Sequence, residues 1–189
     1  AQNGVGFKDT TSDVEKYLEC VVTGSSEDHR MKRFLQVVPT ALDYLARRTL
    51  VKLQPLLEYP DYYQGIVGSS ISGRVLEPEP FDSVHLGHNL QRLRLPLPEF
   101  CLFSDMMIAR EDLLHFQEAF RSVRSFGRVA RLLVRYAYQK VRWGRGTALV
   151  LGNALAARLY ASVLEVGVTV RTGQRVQSLH QDPRGRVDG

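Results

Sequence analysis

Residues 119–172 read AFRSVRSFGRVARLLVRYAYQKVRWGRGTALVLGNALAARLYASVLEVGVTVRT, and the fold class turns on this stretch. From 111 to 143 apolar residues recur at helical spacing, interrupted only by Gly127, which predicts one long helix. At about 100° per residue, Arg121, Arg124, Arg128, Arg131, Arg135 and Arg142 share one narrow face. Phe126, Val129, Ala130, Leu133, Ala137 and Val141 fall on the broad opposite side, so the helix is basic and amphipathic. Gly144-Arg-Gly146 breaks the pattern. A further helix is predicted over 154–166, stopped by Gly167. Residues 168–172 and 175–180 then read as short strands, with Asp182-Pro-Arg-Gly185 as a turn into a returning strand.

Working back toward the amino terminus, Ser12-Asp-Val-Glu15 has capping-box spacing and opens a helix through Val22, ended by Gly24. Ser25 or Ser26 can cap a second helix carrying Met31, Phe34, Leu35, Val38, Leu42 and Leu45. Pro39 lies inside it and predicts a kink or a split. Residues 51–59 read as a strand, at an edge because of Pro55. Residues 60–100, rich in proline and glycine, read as ordered loop with short strands, and Ser104-Asp105 as the start of the second helical region. The fold class is α+β: mostly helical, with a few short strands.

Composition narrows the class of molecule. With 189 residues, 44% hydrophobic and 24% charged, the chain is no disordered polymer. Cys20 and Cys101, the only cysteines, exclude a disulfide-stapled scaffold. No run reaches the roughly 18 apolar residues of a membrane span, and the first residues lack signal-peptide features. A reduced, soluble, cytoplasmic protein is expected. Charge is segregated within a net +5: residues 1–118 hold 12 Lys/Arg against 17 Asp/Glu, while 119–164 hold nine basic residues and no acid. Residue 1 is not Met and the chain stops inside a hairpin pattern, so an internal piece of a longer protein is expected.

Few motifs carry chemistry by themselves. His85 and His88 could share a face, but Asp82 is the only acid close by, so loop histidines bonded to backbone are the expectation and no metal is assigned. Gly68-Ser-Ser-Ile-Ser-Gly73 is neither a phosphate-binding loop nor a nucleophile elbow, and no strand–GxGxxG–helix unit occurs. The arginine face admits three readings: a face solvated or paired with the acids of 1–118, a nucleic-acid site, or peripheral contact with anionic membrane through Arg121, Arg124, Arg128, Arg131 and Arg135. The first is preferred over nucleic acid because no nucleic-acid fold motif accompanies the stripe. Tyr59-Pro-Asp-Tyr-Tyr63 is the densest aromatic cluster of the loop region; it can plug the loop onto the core, or its phenols can move protons.

The blocks Tyr59-Pro-Asp-Tyr-Tyr63 and Gly73-Arg-Val-Leu-Glu-Pro-Glu-Pro-Phe-Asp82 resemble the bacterial 3-ketosteroid Δ1-dehydrogenases of the succinate dehydrogenase/fumarate reductase flavoprotein superfamily. Arg145-Gly-Thr-Ala-Leu-Val-Leu-Gly-Asn-Ala-Leu-Ala-Ala-Arg-Leu159 and Thr172-Gly-Gln-Arg-Val176 resemble the same family's return to its flavin domain. The likeness covers most of this chain and a minority of a full-length enzyme. It implies a catalytic or cap region over 1–145 and the start of a second FAD-domain segment, a helix and a β-hairpin, over 146–189. It further implies FAD as cofactor, a 3-ketosteroid-like apolar substrate, Tyr62 in the catalytic tyrosine pair, Tyr59 and Tyr63 against substrate, and Val176 where backbone meets the adenine of FAD. The glycine fingerprint and the other catalytic groups lie outside the stretch, so it is expected to be inactive alone. A fumarate-reductase-like activity on small dicarboxylates is the neighbouring branch, and a free-standing basic helical module the alternative from another class.

Overall fold

A computed structural model describes residues 9–22 and 28–187. Five helices, α1 (Thr11–Val21), α2 (Asp28–Arg48), α3 (Arg110–Gln117), α4 (Val123–Trp143) and α5 (Leu151–Glu165), surround two small antiparallel pairs. β1 (Leu53–Pro55) pairs with β2 (Leu76–Pro78), Gln54 facing Glu77. β3 (Phe81–Asp82) pairs with β4 (Ala148–Leu149), Phe81 facing Leu149. Helices with short antiparallel strands make this an α+β chain. No helix among the described residues is long and apolar enough to cross a membrane.

The helix ends depart from the sequence pattern in physically readable ways. α1 is capped by Thr10, not Ser12: the Thr10 hydroxyl accepts from the Asp13 N–H and donates to the Asp13 carboxylate. The expected caps Ser25 and Ser26, and the stop at Gly24, lie outside the described residues. α2 runs through Pro39 as one helix, forgoing the hydrogen bond that a proline cannot donate. The helix expected over 111–143 is two helices. The chain turns at 118–122, where the Ser122 hydroxyl accepts from the Ser125 N–H and starts α4 afresh. Ser104-Asp105 opens no helix; Phe103 and Ser104 take positive φ in a tight turn closed by the Leu102–Met106 bridge. Residues 83–92, expected as loop, form 3₁₀ turns broken at Gly87, whose φ of 55° suits glycine.

The strands expected over 168–172 and 175–180 do not form. Among the described residues they have no ladder partner, and only the Gln181–Val187 bridge around the Asp182–Gly185 turn remains of the hairpin. Two extended segments without a third strand or a packing surface lack the stability of a sheet.

The core gathers on α5. Ala154, Ala157 and Ala161 pack against Phe81, Leu86, Leu90, Met107 and Leu149, small residues letting the helix sit close to the β3–β4 pair. β4 and α5 therefore share one core with residues 81–107. Arg158 lies in the middle of this apolar helix, buried, and donates to the carbonyls of Leu50 (2.8 Å), Pro80 (3.0 Å) and Glu79 (3.3 Å). Its guanidinium also stands over the Phe81 ring at 5.2 Å. Ser162 adds to the same junction by accepting from the Leu50 N–H. Replacing Arg158 by Met leaves three carbonyls without their donor, and a loss of about 3 kcal/mol or more is expected in urea unfolding. Arg158→Lys should recover only part of it, because one ammonium cannot fork to three acceptors. Equal stability of Arg158→Met and the native chain would show that solvent satisfies these carbonyls.

Candidate functional site

The tyrosine block sits on a loop whose ends are held by backbone bonds, Leu56 N–H to Val75 C=O and Gly73 N–H to Leu56 C=O. Inside it, the Asp61 carboxylate accepts from the Ser70 N–H (2.7 Å) and from Arg74 (2.7 Å). Arg74 also forms a two-pronged bond to Asp9 at 2.8 and 2.9 Å, and all three charged side chains are largely buried. The hydrogen bond to Asp9, ahead of an opposing desolvation penalty, holds Arg74 above its ordinary range. The Ser72 hydroxyl donates to the Leu57 carbonyl, and Gln64 donates to the carbonyls of Asp61 and Ser70. Gly68, at φ 79°, touches α1 so closely that a Cβ there would stand 2.1 Å from the Asp13 carbonyl oxygen.

On this pinned loop the three tyrosines point to different surroundings. Tyr59 is half-buried, its ring 6.0 Å from the Arg110 guanidinium. The Tyr63 side chain is exposed, while its N–H donates to the Tyr17 hydroxyl of α1 at 3.3 Å. Tyr62 is 85% exposed and its hydroxyl has no hydrogen-bond partner among the described residues. The loop thus brings all three into one element without closing them around one cavity.

A second constellation escaped sequence reasoning. The buried Asp105 carboxylate accepts from the Tyr136 hydroxyl (2.8 Å), from the Gly146 N–H (3.2 Å) and from Lys140 (3.2 Å). Burial opposes its charge, yet these bonds outweigh that and hold the carboxyl below its ordinary value. Burial, and then the bond to Asp105, push the Tyr136 phenol up. Beside it, Arg145 is buried and donates to the carbonyls of Leu90, Leu93 and Arg94; the loss of solvent drives its guanidinium below the ordinary range. Its Nε and the Thr147 hydroxyl are buried without partners in the α4–β4 link. The available signal was an arginine inside a glycine- and alanine-rich apolar stretch, a position where a guanidinium gathers carbonyls instead of meeting water.

The arginine stripe divides. Arg128 forms a two-pronged pair with Asp112 at 2.6 and 3.1 Å, and Arg135 meets Asp82 at 2.7 Å. These pairings with acids of 1–118 follow the preferred reading of the charge pattern. Arg121, Arg124 and Arg131 have no acidic partner among the described residues, and Arg142 lies over Trp143 at 4.6 Å. His85 leans on Phe81, with ring centroids 5.9 Å apart. Among the described residues no group of three or more His, Cys, Asp or Glu side chains could hold a metal.

Comparison with known proteins places the chain in a flavoprotein class. It matches the FAD binding domain family over residues 3–189 and belongs to that family. It is 28% identical over 186 residues, 98% of this chain and 32% of the relative, to a 4-oxocyclohex-2-ene-1-carboxylate 5-dehydrogenase of Sinomonas cyclohexanicum. It is 29% identical over 97% of its length, and 32% of the relative's, to a 3-oxosteroid 1-dehydrogenase of Mycolicibacterium smegmatis. The crystal structure of 3-ketosteroid delta1-dehydrogenase from Sterolibacterium denitrificans, in complex with 1,4-androstadiene-3,17-dione, matches with a TM-score of 0.71 and 26% identity. That match covers 85% of this chain and 29% of the other. The chain thus spans about a third of the length of these relatives.

FAD is the cofactor of the family. Val176 lies on an exposed extended segment, and its backbone N–H and C=O have no partner among the described residues.

Two predictions follow from the geometry. Gly68→Ala must push the loop off α1, and a loss of about 1–3 kcal/mol in urea unfolding is expected; an unchanged midpoint would mean α1 yields freely. For Asp105 the folded carboxyl titrates below its unfolded value near 3.9. Its contribution is full above that unfolded value and is lost as pH falls through the folded one. Asp105→Asn should therefore lower stability at neutral pH by about 2 kcal/mol and flatten the acid limb of the stability profile. A limb as steep as the native one would place the titrating group elsewhere.

Proposed function

We propose that this chain is the substrate-facing portion, with an adjoining flavin-facing stretch, of a FAD-dependent dehydrogenase that removes two hydrogens from a ring ketone of 3-ketosteroid type. The observation that carries the reading is the pinned loop with a free phenol at its tip, in a chain whose relatives are named for ring-ketone dehydrogenation. The division is one of role and not of folding unit: 1–145 faces substrate and 146–189 faces the flavin, although both halves share the α5 core.

FAD, when bound, supplies the acceptor for the hydride leaving one ring carbon. The Tyr62 hydroxyl, unengaged by any described residue, takes part in the phenol pair that receives the proton from the neighbouring carbon, so that the C–H electrons left behind form the new double bond. Tyr59 and Tyr63 offer aromatic surface to a flat apolar ring system. The Asp9–Arg74–Asp61 clamp keeps these groups in position without touching substrate. Val176 offers its free backbone amide to the adenine of FAD. The chain by itself, about a third of such an enzyme, has no turnover.

Tyr62→Phe in the full-length enzyme is expected to lower kcat about 100-fold or more while the protein keeps its bound FAD. Steady-state turnover on a 3-ketosteroid, with flavin content read from visible absorbance, checks both. Native turnover in the variant would remove Tyr62 from the chemistry.

A further inference from the structure

α4 has three faces. One packs on the protein through Ser125, Val129, Tyr136 and Gln139. The second is apolar and open: Val123 is 91% exposed and Val141 90%, with Phe126 and Val134 between them also exposed. Phe120, in the turn leading into the helix, is 97% exposed. The third carries Arg124, Arg131 and Arg142, beside the apolar arc and with no acidic partner among the described residues. Arg128 and Arg135 lie nearer the packed face, and these are the two that Asp112 and Asp82 neutralise. Of the five arginines expected at a membrane, two are therefore engaged within the fold.

We propose that the open arc of α4 docks on an anionic lipid bilayer, Phe120, Val123, Val134 and Val141 entering the acyl boundary and Arg124, Arg131 and Arg142 reaching the phosphates. The helix has 21 residues, about 30 Å, and no acid occurs from 119 to 164. An arc that is apolar on one side and unpaired arginine on the other fits a bilayer surface, which provides hydrocarbon and anionic headgroups at adjoining depths. A protein partner, or a further part of a longer parent chain, seated on this arc would have to bring carboxylates to three arginines or bury them without counter-charge. Nucleic acid would use the arginines and leave the valine and phenylalanine arc in water. The surface is separate from the tyrosine loop and does not depend on the dehydrogenase reading.

The test is co-sedimentation of the full-length protein with vesicles of phosphatidylcholine alone or mixed with phosphatidylglycerol. Binding is expected to the mixed vesicles, to weaken at high salt, and to fall about 100-fold in Arg124→Glu/Arg131→Glu/Arg142→Glu. The Val123→Ser/Val134→Ser/Val141→Ser variant should lose it as well. Circular dichroism and turnover should match the native protein in both variants. The proposal is overturned by no binding of the native protein to mixed vesicles, by binding that survives both variants, or by a concentration-dependent dimer abolished by the serine variant in a protein that ignores vesicles. Duplex DNA bound as tightly as the vesicles, and unaffected by the serine changes, would show a general polyanion site instead.

Discussion

The β1–β2 ribbon is tied to the core through the fork of Arg158. Its guanidinium has left water, and its nearest carboxylate oxygen, on Glu79, is 3.9 Å away. Three backbone carbonyls and the face of Phe81 take the place of hydration. Those carbonyls belong to the end of α2 and to the link between β2 and β3, so one side chain ties α5 to both ends of the β1–β2 ribbon. The tyrosine loop is the connection within that ribbon. Its position relative to the core is thus set by a hydrogen-bond fork that only a planar, permanently charged group can make. Arg145 repeats the device ahead of β4, gathering Leu90, Leu93 and Arg94. Both arginines act as keystones of backbone and neither as a surface charge.

The charge segregation of the sequence has a structural meaning that goes half the distance. Asp112, Asp82, Asp105 and Glu79, all from the acidic first part, meet Arg128, Arg135, Lys140 and Arg158 from the basic second part. These pairs differ in weight. Arg135–Asp82 is open to solvent on both sides and contributes at most about 1 kcal/mol. Asp105 is buried, and its three donors fix the α4–β4 link from which α5 departs. Segregation along the chain becomes complementarity across the fold, and what is left over on α4 is the unpaired remainder.

Local pattern reached the helices and stopped where long-range partners decide. α5 and α4 were legible because their periodicity spans several turns. The break at 118–122 was not, because Phe120 continues the apolar rhythm while standing almost wholly in water; periodicity counts residue type and not burial. The strands at 168–180 were overread for the opposite reason, since strand-like composition forms no ladder without a neighbour. The tyrosine block was singled out by its likeness to a family. Its support was not: Asp9 and Arg74 are 65 residues apart, and no spacing rule connects them.

The rigidity of that loop is the strongest physical argument for its use. Holding a loop in one conformation costs about 1–2 kcal/mol per residue in backbone entropy. Here the order is enforced by a doubly paired arginine, a glycine pressed on α1, and serine and glutamine side chains spent on carbonyls. None of these contacts engages the Tyr62 phenol, which projects from the fixed backbone with no partner for its hydroxyl among the described residues. A loop that served only to connect β1 to β2 could be mobile, and an aromatic that served only to plug it would be buried. On the proposed reading, a fixed backbone beneath an open phenol serves proton transfer at a defined carbon, because a group held in place before substrate arrives spends no binding energy on finding its position.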